Sequence, residues 1–201
     1  MSEHIPITIT EVAMFLQKEV NWTKFVSLVS SIGSQFNDVQ WRFLKAVVFE
    51  KAVETFSDKK LVYVAQLGCD FIIPSLDNAK VEMKYTEDVL YTEKSMVPRI
   101  NAQSITLMNS KGTNNHTGLP DEYADFILIV GKRGAAIIDK PTLSNYIKIN
   151  GDSITAVIPT DKMTFIFTPD TVTTKDVIKT GDAINLKQTI LDAISDALAK
   201  C

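Results

Sequence analysis

The chain is poor in the residues on which several large protein classes depend. Only two cysteines occur among 201 residues, Cys69 in an apolar stretch and Cys201 at the last position. They form neither a disulfide framework nor a zinc-ligand spacing, so a reducing cytoplasm is the expected setting. Two histidines, His4 and His116, are too few for a metal-histidine cluster, and no Ser-His-Asp constellation accompanies either. No apolar run approaches the roughly 20 residues that span a bilayer, and the start MSEHIPITIT lacks a basic region followed by a hydrophobic stretch. A soluble, unsecreted protein without a membrane partner is expected. Phosphate-cradling glycine loops are missing as well: GKRGAA is too short for a dinucleotide fingerprint, and Gly131 and Gly134 read as turn glycines. The net charge of -3 argues against indiscriminate nucleic-acid binding, yet leaves room for a basic cleft beside an acidic site.

What is present is a core. A hydrophobic content of 45% with 22% charged residues suits one globular domain over residues 1–201. Within it, 1–57 reads as a helical front end, 58–140 as a sheet core and 141–201 as further strands with a closing helix. Val12, Phe15 and Leu16, then Phe43 and Val47, recur at helical spacing with a break near Gly33-Ser34. Thr8 or Thr10, Asn21 or Thr23, and Asn37-Asp38 are the candidate caps, and Ser57-Asp58-Lys59-Lys60 the stop. LVYVAQL, FIIPSL and KVEMKY then follow with little punctuation, as an antiparallel three-strand meander in which Pro74 calls for an edge or a bulge. Tyr91 to Gln103 reads as a short broken helix or loop. SITLMNS and YADFILIV read as central strands, followed by GAAIID, YIKIN, SITAVIP and MTFIFTP. NLKQTILDAISDALA carries a helical apolar stripe. The expected fold class is α+β or α/β: a mixed central sheet containing the meander, flanked by N-terminal and C-terminal helices.

The chemistry concentrates in DNAKVEMKY, residues 77–85. Alternation puts Glu82 and Lys84 on one face of a strand and Val81, Met83 and Tyr85 on the other, expected to face the core. Asp70 opens the preceding strand, and a tight turn at Asp77-Asn78 folds the two together. Asp70 and Glu82 are thus candidate oxygen ligands for Mg²⁺, which usually takes one or two protein carboxylates. Lys84 would bring an ammonium to the same ledge. Asp58-Lys59-Lys60 is a second acid-x-Lys triplet, but no acid-initiated strand stands before it. The bland alternative is an exposed, solvated strand face with Asp70 as a turn residue.

Asp70, Glu82 and Lys84 in this order resemble the PD-(D/E)xK nuclease superfamily, although Cys69 stands where the name-giving proline would be. Glu50, in VVFEKAVE, matches the acid that the family carries on the helix before the meander. The likeness covers roughly residues 40–140 in element order: helix, meander, helical piece, two more strands. It implies a restriction-endonuclease-like fold and a Mg²⁺-dependent deoxyribonuclease, with Asp70, Glu82 and Glu50 as metal ligands and Asp70, Glu82 and Lys84 as the catalytic set, in which Lys84 positions the attacking water and counters growing negative charge. Size and single-domain build look most like a type II restriction endonuclease. That implies cleavage of double-stranded DNA at a short palindromic site by a homodimer in a prokaryotic cytoplasm.

A second segment, NSKGTNNHTGLPDEY, is too polar and too glycine-containing for core. Asn109, Ser110, Lys111, Thr113, Asn114, Asn115 and His116 are suited to phosphates and base edges, asparagine being a good partner for adenine. Lys132 and Arg133 are candidates to clamp a phosphate. An ordinary surface loop and a solvated hairpin tip are the plain counterparts. The competing class is a non-catalytic DNA-binding or protein-interaction module whose sheet only imitates the nuclease pattern.

Overall fold

Thr8 starts the first helix through a capping box: its side chain accepts from the Glu11 N–H, and the Glu11 carboxylate accepts from the Thr8 N–H at 2.8 Å. The computed structural model to which these details belong describes residues 6–33, 39–86, 102–109, 118–131, 134–150 and 153–167. Helix α1 is Ile9–Glu19, α2 is Trp22–Gly33 and α3 is Val39–Phe56. Asn21 caps α2, its Oδ1 accepting from the Lys24 N–H at 3.1 Å, and the Trp22 indole donates back to Leu16 O at 2.9 Å. After α3, Asp58 and Lys59 adopt left-handed backbone angles, and the Ser57 hydroxyl accepts from the Leu61 N–H, so the expected stop is where the helix ends. Among the described residues no helix is long and apolar enough to cross a membrane.

The strands are β1 (Val62–Gln66), β2 (Cys69–Ile73), β3 (Ala79–Tyr85), β4 (Ala102–Asn109), β5 (Phe126–Gly131), β6 (Gly134–Asp139), β7 (Ile147–Asn150), β8 (Ser153–Pro159) and β9 (Thr164–Phe167), with a short helix α4 (Lys140–Ser144) after β6. Six form one mixed sheet in the order β1-β2-β3-β5-β6-β9, and β4-β8-β7 form a second, antiparallel sheet. The meander is present as expected, and β3 pairs in parallel with β5. The fold is therefore α+β with a mixed main sheet.

Alternation assigns the two faces. Phe71, Ile73, Val81, Met83, Phe126, Leu128 and Val130 join residues of α1, α2 and α3 in one core. Ile127, Ile129, Ala136 and Ile138 join Ile105, Leu107, Ile154, Ala156 and Ile158 of the small sheet in another. β5 is buried along its whole length because it contributes to both cores, which is why its sequence is continuously apolar.

Three expectations are corrected. SITLMNS is not a central strand: β4 is an edge of the small sheet, with Ile105 and Leu107 buried and Thr106 exposed. Pro74 lies in no strand; β2 stops at Ile73, and Pro74 opens a 3-10 turn that needs no N–H from it. The stretch expected to be helical or irregular up to Gln103 yields to β4 at Ala102. The cap at Asn37-Asp38, the helical piece from Tyr91 and the closing helix lie outside the described residues.

Candidate active site

The β2–β3 hairpin builds the site. Asp77 and Asn78 both take left-handed angles, which Asp and Asn tolerate better than most residues, and Ile73 pairs with Ala79 beyond them. The register Phe71 with Val81 then sets Asp70 opposite Glu82. Since Phe71, Val81 and Met83 point into the helix-side core, Asp70, Glu82 and Lys84 share the other face, as their spacing predicts. This face is not solvated. Glu82 is 5% exposed, enclosed by the small sheet packed over the main one.

The two carboxylates are held differently. Asp70 Oδ2 accepts from the Met83 N–H at 2.7 Å, which ties the acid of β2 to the backbone of β3. Glu82 Oε1 accepts from the Lys84 ammonium. Glu82 Oε2 is buried and meets no hydrogen-bond donor among the described residues. Burial pushes the Glu82 carboxyl up to about 7; the Lys84 ammonium pulls it down and the Asp70 charge adds to the rise. Burial raises Asp70 too, against the Met83 N–H and Lys84.

Glu50 belongs to the same electrostatic group. Its neighbour on α3, Phe49, is tilted against the Tyr85 ring at the end of β3, at 4.7 Å between centroids. Burial lifts the Glu50 carboxyl to about 7, and the Asp70 charge is the next cause, opposed by a hydrogen bond from Tyr63. Three carboxyl groups and one ammonium therefore share one field, and a proton or another cation is needed to balance them.

Two tyrosines enter this neighbourhood unannounced by any motif. Tyr63 meets Glu50, and burial together with the Glu50 charge raises its hydroxyl pKa. Tyr123 is buried in the core between the sheets and donates to Leu107 O at 3.2 Å; burial, then the Glu82 and Asp70 charges and a hydrogen bond with Glu82, raise its pKa. Gly68, just before β2, has φ +74°, and a Cβ there would stand 2.4 Å from the Tyr123 ring.

For Mg²⁺ the residues fit in part. Asp70 and Glu82 offer a carboxylate pair, and the orphaned Glu82 Oε2 is the kind of buried oxygen a cation would satisfy. Among the described residues no three acidic, histidine or cysteine side chains form a ready metal cage. A separate cleft of about 730 Å³ opens at the turn end of the same strands, near Asp77, Phe126 and Asp139, and neither Asp70, Glu82 nor Lys84 lines it.

The expected DNA contacts are barely represented. Asn109 closes β4 opposite Ser153, while Ser110, Lys111, Thr113, Asn114, Asn115, His116, Lys132 and Arg133 lie outside the described residues. Comparison with protein families, with curated proteins and with solved structures finds no match for this chain.

Proposed function

We propose that the protein is a metal-dependent endonuclease of the PD-(D/E)xK kind that hydrolyses phosphodiester bonds of double-stranded DNA. The observation that carries this reading is the convergence of Asp70, Glu82 and Lys84 on one buried face, set by the hairpin register and joined electrostatically by Glu50. A solvated strand face would leave Glu82 open to water, and Glu82 is buried. The order of α3, the meander and then β5 supports a restriction-endonuclease-like core, from which β4 departs by joining the small sheet.

Asp70 and Glu82 would hold Mg²⁺, with Glu50 as a further ligand or an outer acid. A bound ion would supply Lewis acidity toward the scissile phosphate, a coordinated water and the leaving 3′-oxygen. The chain supplies the rest. Glu82 Oε1 anchors the Lys84 ammonium, so the cation is oriented before substrate arrives and loses little freedom in the reaction. Lys84 then positions the attacking water and offsets charge on the phosphoryl oxygens. The Met83 N–H fixes Asp70 on the opposite side of the pair. A homodimer with one site per strand, acting as a type II restriction enzyme on a short palindrome in a prokaryotic cytoplasm, is the specific form proposed.

The test is incubation of the purified protein with plasmid and site-rich DNA in Mg²⁺, with EDTA and Lys84→Ala as controls. Discrete fragments lost in both controls are expected. DNA that stays intact over Mg²⁺, Mn²⁺ and varied substrates overturns the reading in favour of a non-catalytic module.

A further inference from the structure

We infer that Tyr123 is the positioning residue of the acidic pair: it locks the turn from which Asp70 issues to the small sheet that covers Glu82. The inference rests on the metal-site reading above and adds to it the device that sets the site's geometry.

Three contacts carry it. The Tyr123 ring fills the space beside Gly68, so tightly that no side chain fits there, and the Ala124 N–H donates to Gly68 O at 2.8 Å. Ring and backbone together fix the turn two residues ahead of Asp70. The hydroxyl reaches the other way, to Leu107 O. The pairing of β4 with β8 shifts register between Thr106 and Met108, a bulge at Leu107, and a bulged residue is unpaired in its ladder and wants another partner. Tyr123 supplies it. One side chain thus pins the end of β2 to the bulged edge strand across the interface in which Glu82 is buried.

The hydroxyl has a single proton. That proton goes to Leu107 O, while the Tyr123 hydroxyl also lies in hydrogen-bonding contact with the Glu82 side chain, whose Oε2 is otherwise buried without a donor among the described residues. A buried carboxylate oxygen without a donor is expensive in the metal-free protein and available to a cation. Tyr123 is itself anchored from behind: the Lys140 ammonium donates to the carbonyls of Pro120 at 2.8 Å, Asp121 at 3.0 Å and Tyr123 at 3.3 Å. The loop that presents the ring is therefore held independently of the acids it serves.

The experiment measures Mn²⁺ affinity of the full chain by the loss of the free-ion electron paramagnetic resonance signal, without DNA. Tyr123→Phe keeps the ring and removes the bond to Leu107. It is expected to weaken Mn²⁺ binding roughly threefold to tenfold, the equivalent of one hydrogen bond. Tyr146→Phe, the same change elsewhere in the same core, should leave the affinity unaltered. Circular dichroism establishes that the variants are folded. In the wild type, ¹³C-tyrosine labelling gives a readout that needs no variant: Mn²⁺ should broaden the Tyr123 ring signal more than that of Tyr146. Unchanged affinity in folded Tyr123→Phe, or equal broadening of the two tyrosines, overturns the inference while the metal site stands. A wild type that binds no Mn²⁺, or binds it equally well as Glu82→Gln, overturns the metal reading and this inference with it.

Discussion

Two lysine–glutamate pairs in the molecule behave in opposite ways. At the corner between α1 and β1, Lys60 grips Glu19, with Lys18 at 3.3 Å on the other oxygen, and these hydrogen bonds hold the Glu19 carboxyl below its ordinary value. On β3, Lys84 grips Glu82 just as closely, yet the Glu82 carboxyl is pushed up to about 7. The Lys60 side chain is 52% exposed and the Lys84 side chain 23%. An ion pair near water stabilises the charged form of its acid. The same pair under a second sheet, beside another carboxylate, does not compensate for lost hydration. The lesson is that the partner does not decide the state of the acid; the surroundings do.

The comparison breaks most sharply in catalysis. Lys84→Ala should cut Mg²⁺-dependent plasmid cleavage by at least about 100-fold, whereas Lys60→Ala should cleave at the wild-type rate. Equal rates for the two variants would place the chemistry elsewhere. Next comes the turn ahead of Asp70. Gly68→Ala meets both the left-handed backbone and the Tyr123 ring, and should destabilise the protein by about 2–4 kcal/mol in urea unfolding.

A smaller effect distinguishes the two acids by the sign of their pH dependence. Glu82 has a folded pKa raised from 4.5 to about 7, so its contribution to stability is complete below pH 4.5 and is lost as pH rises through 7. Metal-free protein should lose about 1–3 kcal/mol across that window, and Glu82→Gln should flatten the loss while abolishing cleavage. Glu19 has a lowered folded pKa, so its contribution is present above 4.5 and is lost as pH falls. Glu19→Gln should leave Tm at pH 7 almost unaltered, with any change erased by salt. Thermal melts of the wild type and the two variants between pH 4 and pH 8 give the three curves to compare.

The shared face of Glu82 and Lys84 was legible because period-two alternation survives any tertiary context, and Asp70 joined them through a turn whose Asp77-Asn78 spelling is local chemistry. What covers that face was not legible. The ledge reads alike in sequence whether water or a second sheet lies above it. The difference between β4 and β5 did leave a trace: SITLMNS alternates, as befits one buried face, while FILIV is apolar throughout. Reading both as central strands passed over that contrast. Pro74 reads as an edge or bulge residue of the second strand, though a residue without an N–H suits the turn that follows. Tyr123 and Tyr63 had no signal at all. Their roles come from contacts with Gly68, Leu107 and Glu50, which lie on other elements, and no spacing rule reaches that far.

The Lys140 clamp has a consequence for how such a protein changes over time. By fixing the carbonyls of Pro120, Asp121 and Tyr123, it makes the downstream end of the connection between β4 and β5 a fixed abutment. A sequence change at Lys140 would therefore reach the ring that abuts Gly68 without touching either acid.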